Sequence, residues 1–165
     1  MTTVFDLPDE AATAALAARI AAQARAGDVI ALRGELGVGK TSFARAFIRA
    51  RGDPGEEVPS PTFSLVQIYE AQIYEAQLDE AEAAPVWHFD LYRLDAAEEA
   101  WELGIEEAFA GGISLIEWPE RLGPLLPHHR LDIAFEFGEE PQARRAVCTA
   151  AAAWQMRLAG IAADA

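Results

Sequence analysis

Eight consecutive residues, Gly34-Glu35-Leu36-Gly37-Val38-Gly39-Lys40-Thr41, carry the plainest chemistry in the chain. They match glycine, four residues, Gly-Lys-Thr, the pattern of a phosphate-binding loop or P-loop. Glycines let the backbone curl until its N–H groups point inward at phosphate oxygens. The N-terminus of a following helix adds the positive end of its dipole. In that arrangement Lys40 reaches the β- and γ-phosphates and the Thr41 hydroxyl ligates magnesium. The residues from Gly34 to Ser42 are therefore the candidate nucleotide contacts. The pattern needs a strand before it and a helix after it. Val29-Ile30-Ala31-Leu32 is short and apolar, and Phe43/Phe47 with Ala44/Ile48 share one helix face. The chain is expected to bind a nucleoside triphosphate with Mg2+.

Such a loop also needs a carboxylate on a neighbouring strand to hold the magnesium and its waters. Glu117 ranks first. It follows the apolar run Ile113-Ser114-Leu115-Ile116, at the carboxyl end of a strand, where ligands gather in α/β sheets. The plain alternative is a surface carboxylate. Asp90 ranks second, beside the γ-phosphate or orienting water. It lies in the strand Val86–Tyr92, on a polar face with His88 and Tyr92, opposite Phe89 and Leu91. Its plain alternative is a partner for Arg93 or a local cap. Thr62, after Pro61 at a loop-to-strand junction, is a candidate switch hydroxyl, or else a turn hydroxyl bonded to nearby backbone. Trp118 would lie against the site or simply pack. His88 would donate to phosphate or to Asp90, or be a half-buried structural histidine. Arg93 and Arg121 would stabilise charge or pair with the abundant carboxylates.

These residues need a frame. Asp9–Ala26 reads as a helix, with Leu16 and Ile20 four apart and Gly27 closing its end. Strand, loop and helix follow to about Arg51, where Gly52-Asp53-Pro54-Gly55 stops the helix. A strand is expected over Ser60–Tyr69 and a second, antiparallel to it, over Val86–Tyr92. Between them Gln67-Ile68-Tyr69-Glu70-Ala71 is repeated at once as Gln72-Ile73-Tyr74-Glu75-Ala76. Strands alternate with period two, so a five-residue step turns the second copy to the opposite face. One copy is expected in the sheet and the other in a hairpin extension or bulge. Asp95 with Glu98 predicts a helix start, with Trp101 and Ile105 on its apolar side and Gly111-Gly112 at its end. Strands at Ile113–Ile116, Leu131–Phe137 and near Ala146–Thr149 follow, then a helix around Trp154–Ile161. Together these predict one α/β domain: a three-layer P-loop sandwich whose mixed, mostly parallel sheet includes an antiparallel hairpin and is flanked by helices.

Thirteen Lys and Arg against 27 Asp and Glu leave a net charge of −14. A surface this acidic repels phosphate backbones, which argues against extensive direct contact with nucleic acid and for a basic protein partner. No apolar run approaches the ~20 residues needed to span a bilayer. The N-terminus lacks a basic region followed by an apolar core, so no signal peptide is expected. The single cysteine, Cys148, cannot form an internal disulfide and reads as a small buried hydrophobe.

The P-loop, Ser60-Pro61-Thr62-Phe63, His88-Phe89-Asp90-Leu91-Tyr92-Arg93-Leu94 and Ile116-Glu117-Trp118-Pro119-Glu120 occur in an order that resembles the TsaE (YjeE) family, and Leu7-Pro8-Asp9-Glu10 adds to the likeness. The resemblance spans roughly Val4 to the final helix. It implies a bacterial cytoplasmic ATPase that binds ATP or ADP with Mg2+ and is required for threonylcarbamoyladenosine on tRNA. It further implies docking on the TsaD–TsaB pair, which performs the transfer. Carried over residue by residue, Lys40 contacts phosphates, Thr41 and Glu117 match the magnesium ligands, and Thr62, Asp90 and Trp118 match functional positions. The resemblance also implies that residues near Ala11 and Arg144 or Arg145 border the nucleotide. The doubled Gln-Ile-Tyr-Glu-Ala departs from the family pattern.

Two other readings compete. A small-molecule or nucleotide kinase would close a basic lid over a second phosphorylated substrate, and this chain has no arginine-rich lid segment. A nucleotide-gated binding module would bind its partner without appreciable turnover.

Overall fold

The computed structural model describes residues 1–70 and 83–165. Seven strands form one sheet: β1 (Thr2–Leu7), β2 (Val29–Arg33), β3 (Val66–Tyr69), β4 (Val86–Asp90), β5 (Ile113–Glu117), β6 (Arg130–Phe137) and β7 (Arg144–Ala150). Their order across the sheet is β1-β7-β6-β2-β5-β4-β3. The three central pairings, β6/β2, β2/β5 and β5/β4, are parallel. The outer three, β1/β7, β7/β6 and β4/β3, are antiparallel. The parallel character is thus confined to the middle, where the phosphate loop leaves the sheet.

Helices α1 (Glu10–Gln23), α2 (Lys40–Arg51) and α4 (Ala152–Ala163) cover one face. Strand alternation decides which side chains meet them. Ile30 and Leu32 of β2, Leu115 of β5, and Leu131, Ile133 and Phe135 of β6 are buried with Leu16 and Ile20 of α1, Phe43 and Phe47 of α2, and Trp154. The opposite parity, Val29, Trp87, Phe89 and Ile116, packs under α3 (Ile105–Gly111) and two 3₁₀ segments, Ala97–Leu103 and Pro119–Leu125. Asp9 caps α1, its Oδ1 accepting the Ala12 N–H at 2.8 Å. Arg157 of α4 grips Asp28 with two bonds of 2.6 and 3.0 Å and stacks 3.7 Å above the Trp154 ring, tying α4 to the turn before β2.

Several expectations need correction. Ser60–Tyr69 is not one strand. Leu65 N–H donates to Pro61 O at 2.6 Å, closing a turn, and Leu65 itself sits at φ 66°. The ladder therefore begins only at Val66. The first Gln-Ile-Tyr enters β3, while the second copy lies outside the described residues. Asp95 does not start an α-helix: a 3₁₀ segment begins at Ala97, breaks at Gly104 (φ 83°), and leaves Trp101 46 % exposed. β4 has no polar face open to water, because all five of its residues are buried. β1 was not anticipated at all.

Cys148 is buried on β7, and burial pushes its thiol up to about 12 from an ordinary 9.0. The folded thiol stays protonated where the unfolded one ionises. Raising the pH above about 9 therefore favours unfolding through this group, increasingly up to about pH 12. A thiol reagent at pH 8 should label the native chain far more slowly than the denatured one. Equal rates would refute the burial.

Candidate nucleotide site

β2 delivers the glycine loop at the carboxyl edge of the parallel strands, and α2 begins at Lys40. Three loop glycines hold positive φ: Gly34 at 136°, Gly37 at 79° and Gly39, the residue before α2, at 117°. At Gly34 a Cβ would meet Phe135 O at 2.7 Å and Val38 Cγ1 at 2.8 Å, whereas at Gly37 it would meet nothing within 4 Å. Gly34→Ala should therefore cost about 2–3 kcal/mol and weaken nucleotide binding, and Gly37→Ala only about 1 kcal/mol, from φ strain alone. Thermal unfolding of the two variants side by side checks this, and equal losses would count against it. The Leu36 side chain is 75 % exposed at the loop tip, so Glu35 and Leu36 offer the site their backbone rather than their side chains. Val38 is buried, and its carbonyl accepts from Arg144 Nε at 2.8 Å.

Lys40 is only 4 % exposed. Its ammonium bonds to Gly34 O, lies 3.4 Å from Glu35 O, and sits 3.5 Å from the centre of the Trp118 ring. Burial pushes its pKa below 10.5, opposed by the charges of Glu117, Glu120 and Asp90. Trp118 holds a left-handed conformation (φ 59°, ψ 50°), uncommon for a bulky residue, and its ring packs 5.0 Å from that of Tyr92. The backbone turn after β5 is what swings the indole over Lys40.

Glu117 is buried, not a surface carboxylate. Register explains its place. Leu32, Glu117 and Asp90 stand opposite one another on β2, β5 and β4, forming a row at the strand ends under α2. Glu117 Oε1 accepts from the Thr41 hydroxyl at 2.8 Å and Oε2 from His88 Nε2 at 2.6 Å. His88 thus meets Glu117 rather than Asp90, and it is fully buried, not half-buried. Asp90 accepts the Tyr92 N–H at 3.1 Å, the local cap of the plain alternative, and also the Thr62 hydroxyl at 3.1 Å. Thr62 in turn shares a 2.7 Å bond with Ser60. Arg93 lies 4.6 Å from the Phe63 ring centre and, among the described residues, forms no ion pair with Asp90.

Lys40, Thr41, Glu117, Trp118 and Asp90 are thus brought together, with Thr62 joined through Asp90. A groove of about 210 Å³ adjoins the loop, lined by Glu10, Thr13, Gly37 to Gly39, Ser42, Gln142 and Arg144. A larger one, about 740 Å³, runs along α2 and α1 past Ser42, Arg45 and Ala11 but touches none of the loop glycines, and neither groove is lined by Lys40, Thr41 or Glu117. The smaller fits the remainder of a nucleotide better, because it opens directly on the glycines. Arg144 lines it, whereas Arg145 reaches the exposed Asp6 at 3.4 Å. Thr13 and Gln142 belong to no motif and were missed. Thr41 and Glu117 offer hydroxyl and carboxylate oxygens, the hard donors Mg2+ takes alongside phosphate oxygens and water.

A central parallel sheet with a glycine loop between strand and helix, facing a carboxylate on the adjacent strand, is a P-loop fold. The chain belongs to the TsaE family: residues 7–147 match the model of "Threonylcarbamoyl adenosine biosynthesis protein TsaE". Curated relatives named "tRNA threonylcarbamoyladenosine biosynthesis protein TsaE" include one from Rickettsia bellii, 37 % identical over 77 % of this chain and 81 % of the relative. Another, from Bacillus subtilis, is 36 % identical over 78 % of this chain and 73 % of its own. The crystal structure of Bacillus subtilis YdiB superposes with a TM-score of 0.77 at 25 % identity, covering 99 % of this chain and 96 % of that one.

Proposed function

We propose that the chain is a Mg2+-dependent ATPase serving threonylcarbamoyladenosine formation on tRNA in the cytoplasm, through a TsaD–TsaB-type complex. The observation that carries this reading is the Thr41–Glu117 contact at 2.8 Å beside Lys40, in a member of the TsaE family. Lys40 would exchange the Gly34 and Glu35 carbonyls for phosphate oxygens, which its ammonium prefers for their charge. The loop from Gly34 to Gly39 and the start of α2 would supply backbone N–H groups, and Ser42 and Trp118 would border the nucleotide. Thr41 and Glu117 would hold Mg2+, whose contribution is to neutralise phosphate charge. Asp90, with Thr62 bonded to it, would sense or orient at the γ-phosphate side. The net charge of −14 supports work through protein partners, because such a surface repels the tRNA backbone.

Magnesium-dependent ATP hydrolysis with and without purified TsaD and TsaB tests the reading. Weak turnover alone and a marked rise with the pair, lost in Lys40→Ala, is expected. No rise with partners shown to be active would overturn it.

A further inference from the structure

Glu117 has two oxygens and each meets a different donor. Thr41, on α2, donates to Oε1, and His88, on β4, donates to Oε2 at 2.6 Å. Because a carboxylate only accepts, the proton of that second bond sits on Nε2. His88 Nδ1 is then buried with no hydrogen-bond partner among the described residues. A residue present only to fill space between β4 and α2 would not carry an imidazole with one orphaned nitrogen, since an unpaired buried polar atom is unfavourable. Trp87 and Phe89 on either side along β4, and Leu115 opposite on β5, are apolar, so a fully buried imidazole here needs a reason. The bond to Glu117 supplies it.

We infer that His88 is a positioning residue, whose Nε2–H fixes the plane of the Glu117 carboxylate so that Oε1 faces Thr41. The inference rests on the reading of Thr41 and Glu117 as the magnesium pair. A hydroxyl offers a cation its lone pairs whichever way its proton points, so the Thr41 bond alone would not fix Glu117, and the His88 bond would hold the second carboxylate oxygen in place. Partners of metal-binding side chains characteristically act this way, and losing one weakens metal affinity by about 10–100-fold.

The test is ADP binding by titration calorimetry, with and without Mg2+, in wild type, His88→Gln and His88→Met. Glutamine presents an N–H near the position of Nε2; methionine fills similar volume with no donor. In His88→Met the Mg2+ concentration for half-maximal effect should rise about 10–100-fold, while affinity for ADP without Mg2+ stays within about threefold. His88→Gln should recover most of the loss. A purely structural histidine would lower the melting temperature of both variants without separating them in Mg2+ response, and that outcome overturns the inference. If wild type itself shows no Mg2+ effect, the magnesium reading fails, which is a distinguishable result. Should His88→Met not fold, 15N spectra of histidine-labelled wild type decide. One of the three histidines must show an Nε2-protonated ring with a slowly exchanging proton. Three freely exchanging rings would overturn the inference.

Discussion

Lys40→Ala should weaken ATP and ADP binding by about ten- to hundredfold. Hydrogen bonds from a charged donor contribute about 1.5–3 kcal/mol, and 1.4 kcal/mol is a factor of ten in affinity. The fold should survive with a lower melting temperature. The direct contacts of Lys40 are two loop carbonyls and an indole face, but the buried Glu117 and Asp90 lose a neighbouring cation. Gly34 O and Glu35 O lie at the loop, where water replaces the ammonium. Calorimetric titration with ADP, alongside a melting curve, separates the two effects. Unchanged affinity in a folded variant would mean that the loop is a glycine turn without a ligand.

Glu117→Ala should lower magnesium-dependent hydrolysis by about 10²–10³-fold, the usual loss when one preorganised electrostatic group leaves a site. Nucleotide binding measured without Mg2+ should change much less, because Glu117 faces Thr41 and His88 rather than the glycine N–H groups. The substitution also strands the buried His88 donor, at roughly 1–3 kcal/mol in stability, while the half-buried Thr41 hydroxyl can turn to water. Glu117→Gln controls for this. Its amide keeps the volume and one acceptor, so it should melt closer to wild type yet still hydrolyse slowly. Normal hydrolysis by Glu117→Ala would transfer the metal-linked role to Asp90, which shares the same row of the sheet.

The strand, loop and helix around Lys40 were legible because each residue's type is dictated locally: glycine by positive φ, apolar residues by the buried strand, periodic apolar residues by α2. Glu117 was legible for the same reason, as the first polar side chain after an apolar run. What escaped depends on register between distant segments. Nothing within Val86–Tyr92 says that Asp90 stands opposite Glu117, yet this pairing is what turns His88 toward Oε2. The family resemblance named Arg144 or Arg145 without choosing between them, and it is the return of β7 beside β6 that brings Arg144 to Val38. β1 escaped because an edge strand buries few side chains. Only Phe5 and Leu7 are fully inside, too short a pattern to stand out. The strand expected from Ser60 failed through turn chemistry at Pro61 and Leu65, a local backbone bond that a hydropathy pattern does not register.

The pairing of β1 with β7 matters during synthesis. Thr2 lies opposite Thr149, so β1 leaves the ribosome long before β7, the last of the described strands, can satisfy its backbone. β7 also brings Arg144, whose bond to Val38 O helps set the glycine loop. A nascent chain halted before β7 therefore holds the whole glycine motif without its finished shape. Nucleotide-assisted folding would act late, only once β7 has been made, and a ribosome-stalled fragment ending before Arg144 should remain protease-sensitive at β1 even in saturating ADP.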